Sequence, residues 1–161
     1  IIKNSMKKLI IIFLFFTTSL FAGKVERLGF YNLQELLEDD NLTYKIIKSC
    51  VSLNSAITEI TKEDYTELSK SFFETANYLY PFGILTLAKI KKINYKDAEK
   101  EYLTSVSAQV SDYMDFMKEN GVTNQSFIKG TFIGDDLNFC NEIRSAIEIT
   151  ISETKKLKSQ D

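Results

Sequence analysis

An all-α fold, a helical bundle of four to five main helices, is what this sequence predicts, and three observations predict it. Apolar residues recur at three- and four-residue spacing through most of the chain, the period of a half-buried helix. Across 161 residues there are only six glycines and one proline, so long stretches carry no breaker. Both cysteines stand in the middle of such periodic runs, one early and one late.

The elements follow in order. A short helix is expected around Tyr31–Asp39, carrying Leu33, Leu36 and Leu37. Asp40 or Asn41 can cap the next, roughly Thr43–Ile60, whose stripe is Ile46, Cys50, Leu53, Ile57 and Ile60. Thr61-Lys-Glu-Asp64 resembles a capping box and predicts the start of a third helix with the stripe Tyr65, Leu68, Phe72, Ala76 and Leu79. Pro81 is expected to end or kink it, leaving a separate piece from Phe82 to about Lys92. Asn94 opens a helix over Tyr95–Glu119, with Tyr102, Leu103, Val106, Val110, Tyr113, Met114 and Met117 at helical spacing and Asn120-Gly121 as its stop. Val122–Gly134 reads as a loop. Asp135 or Asp136 then caps a last helix ending near Lys156, with the stripe Ile133, Leu137, Cys140, Ile143, Ile147 and Ile151. The alternating β-branched run Ile147–Ile151 also suits a strand, but the longer helical spacing through Cys140 decides for helix.

The N-terminal region has the parts of a cleaved export signal. Lys7 and Lys8 follow Met6, the apolar run Leu9–Phe16 comes next, and small residues precede Lys24. Cleavage is expected after Ala22, so that residues 1–22 form the leader and 23–161 a single helical domain, with Ile1–Ser5 lying upstream of a start at Met6. The apolar run is short against the ~20 residues that span a bilayer, so an uncleaved anchor is the lesser reading. The expected address is the periplasm, with membrane contact only during export. Losing Lys3, Lys7 and Lys8 makes the remainder more acidic than the −2 of the whole chain. Phosphate backbones therefore gain nothing from it, and nucleic acid is an unsuitable partner. In an oxidising compartment Cys50 and Cys140 read as one disulfide joining two helices across the core.

The absence of histidine removes imidazole acid–base chemistry, Ser–His and Cys–His nucleophiles and His-ligated metals; two cysteines cannot build a thiolate zinc or iron–sulfur site. No cofactor and no metal are expected. Ser126-Phe-Ile-Lys129 and Ser152-Glu-Thr-Lys155 match the Ser-x-x-Lys spacing, a pattern that arises easily among so many lysines. Glu59, Glu63 and Glu67 form an acidic edge typical of a solvated face, Glu38-Asp39-Asp40 and Asp135-Asp136 read as helix-end acids, and Lys89, Lys91, Lys92 and Lys96 suit a helix C-terminus.

The least ordinary feature is the crowd of rings around Pro81, namely Phe72, Phe73, Tyr78, Tyr80 and Phe82. One straight helix cannot point them all the same way. Core packing accounts for some, and Phe72, Tyr78, Tyr80 and Phe82 are the candidate groove. By elimination more than by positive sign, the chain reads as an exported binding or interaction protein, for a protein partner or a small apolar ligand. A small hydrolase using carboxylates or a Ser–Lys pair is the alternative, as is a chaperone or an inhibitor or immunity-type protein of the envelope.

Overall fold

The computed structural model describes residues 25–159, apart from Leu37; the expected leader lies outside the described residues. Five helices follow an N-terminal strap, residues 25–32, and no strand occurs among the described residues. They are α1, Leu33–Leu36; α2, Asp40–Thr61; α3, Thr66–Lys91; α4, Tyr95–Asn124; and α5, Ile133–Lys158. Four are long, and the fold is the expected all-α bundle. The Ile147–Ile151 run is helical within α5.

Cross-helix contacts give the directions. Ser69 Oγ donates to the Thr58 carbonyl at one end of the α2–α3 pair, and Lys89 meets Asp40 at the other, 2.8 Å away. These two helices are therefore antiparallel. Tyr44 meets Ser105, and Ser52 meets Gln109, so α4 runs alongside α2 in the same sense. Cys50 and Cys140 are bonded, with Cα atoms 5.4 Å apart, and Ile47 lies beside Ile143, so α5 returns antiparallel to α2.

Two apolar clusters form the core. One gathers Ile46, Cys50, Leu79, Ile84, Tyr102 and Cys140; the other gathers Leu53, Ile57, Tyr113, Met117 and Ile133. The predicted α2 and α5 stripes are thus the core stripes. Between α2 and α4 the seam is polar: Gln109 Nε2 donates to Ser49 Oγ at 2.9 Å, and Ser52 Oγ donates to Gln109 Oε1 at 3.2 Å. Buried polar groups paired in this way fix the register of the two helices.

Several boundaries differ from those predicted, each for a local reason. The first helix is one turn, not Tyr31–Asp39, because Asp39 is spent on its neighbour: its Oδ1 accepts from the amides of Asn41 and Leu42 and starts α2 at Asp40. Thr61-Lys-Glu-Asp64 does not open α3. Thr61 Oγ1 donates back to the Ile57 carbonyl at 2.7 Å, so α2 continues through Thr61 and the turn follows it. Tyr65 and Leu68, expected on the α3 stripe, are exposed.

Pro81 does not end α3, which runs through it as one helix of 26 residues, and the Phe82–Lys92 piece is its second half. Proline removes the bond to the Asn77 carbonyl, at a cost of ~3 kcal/mol. Fully buried Leu79 and Ile84, one on each side, offset that loss by packing. Asn120-Gly121 does not stop α4 either. Asn120 donates to the carbonyls of Ser126 and Lys129, and Gly121 takes the Phe127 ring where a Cβ would come within 2.9 Å of it. Both residues seat the following loop, and α4 ends on Gln125 in the left-handed region. Asn94 does cap α4, accepting from the Asp97 amide at 3.0 Å.

Candidate functional site

The strap closes the seam beside α5. Leu28 is fully buried, and Asp136 Oδ1 accepts from the amides of Leu28 and Gly29 at 2.9 and 3.1 Å. Asp136 was expected to cap α5, but it faces inward because it stands one turn before Cys140 on the core stripe. Arg27 pairs with Asp135 at 2.9 Å, and Lys45 meets Glu26 and the Tyr31 hydroxyl.

Among the described residues, Asp136 Oδ2 and Arg27 Nε are buried here with no hydrogen-bond partner. Burial pushes the Asp136 carboxyl above its usual range, an effect the two amides and Arg27 only partly counter. Burial likewise raises the Tyr113 phenol, and the Asp136 charge adds to it. The raised acid has a readable consequence. Over the window just above the usual carboxylate pKa, folded Asp136 holds a proton that the unfolded chain has released, so its contribution to stability falls as pH rises. Glu26, held low by Lys45 and Tyr31, acts in the opposite sense at lower pH. Asp136→Asn keeps an oxygen for both amides without the charge. Urea unfolding from pH 4 to 7 is expected to show this variant gaining on the parent as pH rises; a pH-independent difference would contradict the assignment.

The first groove arises from a mismatch of lengths. At about 1.5 Å per residue, α5 extends about 27 Å beyond Cys140, whereas α2 has only about 15 Å before Cys50. The α5 stripe therefore outruns its partner. Leu33 and Leu36 of α1, Ile47 of α2 and Phe82 of α3 surround Ile143 and Ile147, leaving an open groove of ≈680 Å³. None of the described residues lining it is ionisable. Its threonines are turned to backbone: Thr43 to the Leu36 carbonyl, Thr86 to Phe82 and Thr150 to Ala146. The walls thus present hydrocarbon with few free donors.

Asn32 and Leu33 also line an adjoining cleft of ≈540 Å³, where Arg27, Tyr31, Asp135, Asn138 and Glu142 gather. A third hollow, ≈380 Å³, opens among α2, α3 and α4 past Tyr80, Phe73 and Leu103.

The four rings singled out in the sequence do not share one groove. Phe82 lines the first, with Tyr78 against it at 5.7 Å between ring centres and the Arg144 guanidinium 5.2 Å over Tyr78. Tyr80 turns the other way, against Tyr102 and into the third hollow. Phe72 packs half-buried on the second core cluster. Because α3 continues through Pro81, each residue advances about 100° and neighbouring rings diverge. No local motif marks the α1 leucines and the distal α5 isoleucines as a site. The signal was present in a stripe that runs further past Cys140 than its partner runs before Cys50.

The candidate catalytic groups lie apart from one another: Ser126 and Lys129 in the turn after α4, Ser152 and Lys155 near the end of α5, and Glu59, Glu63 and Glu67 around the α2–α3 turn. Ser126 Oγ accepts from the Lys129 amide in a turn, Ser152 Oγ donates to the Ile149 carbonyl, and Glu59 pairs with Lys62. Glu63, Glu67, Lys129 and Lys155 are exposed. Among the described residues no group of three or more acidic or cysteine side chains could hold a metal, and no helix is long and apolar enough to cross a membrane.

Fold and grooves together define a small disulfide-tied helical bundle with an apolar cleft on the α5 flank. No family model matches the chain, and no curated protein or solved structure matches it.

Proposed function

We propose that the chain is an exported, periplasmic binding protein that holds an apolar ligand in the groove between α1, α2, α3 and α5. One observation carries this reading: a groove of ≈680 Å³, in the size range of small-molecule sites, whose described lining residues include no ionisable side chain. The bonded Cys50–Cys140 pair supports an oxidising compartment, and the apolar run Leu9–Phe16 behind Lys7 and Lys8 supports export. Binding rather than turnover fits a groove whose hydroxyls are committed to backbone carbonyls.

Native mass spectrometry of the chain recovered from the exported fraction tests both parts. The expected mass begins at Gly23 and carries a non-covalent apolar adduct. Ala146→Phe, at an exposed lining position, should remove the adduct without unfolding the protein. A mass retaining residues 6–22 would overturn the export reading, and ligand-free protein would overturn the binding one.

A further inference from the structure

We infer that the ligand is an amphiphile, with one apolar chain laid along α5 and a head group that donates hydrogen bonds and bears no net negative charge. This rests on the groove being a binding site and adds what sits at its mouth. The groove and the adjoining cleft meet at Asn32 and Leu33, and we take the two together as one channel. The strap and α5 run along it in the same direction. Arg27 and Tyr31 precede Leu33 and Leu36 on one wall, as Asp135, Asn138 and Glu142 precede Ile143 and Ile147 on the other. Charge is therefore confined to one end: the cleft carries Arg27, Asp135 and Glu142 beside Phe139, whereas the described residues lining the groove include no ionisable side chain. A wholly apolar ligand would leave the polar half unmatched, and a wholly polar one the apolar half.

The charges select the head. Arg27 is the cation of the cleft, and it is engaged twice, by Asp135 at 2.9 Å and by the Phe30 ring at 5.0 Å. Tyr31 directs its hydroxyl to Glu26 and Lys45 instead. Glu142 has no ion-pair partner among the described residues. An anionic head would sit beside the Asp135 and Glu142 carboxylates, and the Arg27 charge that could receive it is already neutralised by Asp135. An ammonium or hydroxyl head would donate to Glu142 and to the Asn138 amide oxygen. Unpaired charges set against the wrong ligand are an ordinary source of selectivity.

Calorimetric titration of the disulfide-bonded protein with dodecylamine, dodecanoylglycerol and dodecanoate at pH 7, each below its aggregation concentration, tests the head with the chain held constant. The amine and the glyceride should bind about tenfold tighter than dodecanoate. Glu142→Gln should cut the amine's advantage about threefold, and Ala146→Phe should weaken all three. Equal or tighter binding of dodecanoate, or an unchanged preference in Glu142→Gln, overturns the inference about the head while the groove stands. Absence of binding by every probe, or binding indifferent to Ala146→Phe, overturns the groove and the inference with it.

Discussion

Replacing both cysteines, Cys50→Ala with Cys140→Ala, should lower the unfolding free energy by roughly 2–5 kcal/mol. The bond closes a loop of 90 residues, and on the chain-entropy account a loop of that length restrains the unfolded chain by about 4–5 kcal/mol. Its position in the fold points the same way. Past Cys140, α5 is held chiefly by one face, through Ile143 and through Arg144, which donates to Thr75 at 2.9 Å; Leu157 in its last turn is 69% exposed. Untying the bond should thus loosen the wall of the groove before the rest of the bundle. Hydrogen exchange of the α5 amides beyond Cys140 is expected to rise more than that of α2 and α4. Reduction of the parent should reproduce the loss of stability and should not affect the double variant. An unchanged denaturation midpoint on reduction would show that packing alone seats α5.

The fold was legible wherever the sequence pattern reports burial. The stripes through Cys50 and Cys140 predicted two core helices and their pairing, because a periodic apolar face has few other uses. Start and stop residues were less legible, because each has more than one use for its polar atoms. Thr61 can accept at a helix start or donate back one turn, and it donates back. Asn120 can stop a helix or bind a loop, and it binds the loop. Asp136 read as a helix-end acid, although its place one turn before Cys140 already put it on the buried face.

The site was less legible still. Phe82 was the one ring of the predicted four that lines the first groove. The groove is made by the difference in reach of two helices from their shared bond, together with two leucines of α1. Neither is a property of a local sequence window. The reach of each stripe from its cysteine can be counted in the sequence once the disulfide is assumed, so the distal isoleucines were recoverable in a way the α1 leucines were not.

Gly83→Ala should destabilise the protein by about 1–3 kcal/mol, against the sign that helix propensity alone gives. A glycine in the middle of a helix is about 1 kcal/mol worse than alanine, so an unobstructed substitution would stabilise α3. Here a Cβ at Gly83 would fall on the ring and hydroxyl of Tyr102. That ring has little room to retreat: it is fully buried, with Tyr80 at 5.3 Å and Tyr44 at 6.0 Å set edge-on to it, and its hydroxyl has no partner among the described residues. The two contributions oppose each other, so the sign of the measured change decides which governs. Tyr102→Leu is itself expected to cost stability, but it vacates the space. In that background Gly83→Ala should become neutral or stabilising, giving a large coupling in the double-mutant cycle. If alanine stabilises the parent, α3 and α4 can part at this point without penalty. The opposite outcome also bears on Pro81. Two poor helix formers within three residues then mark the place where α3 gives up intrinsic helicity to bring its backbone against α4, and packing of Leu79, Ile84 and Tyr102 compensates for both.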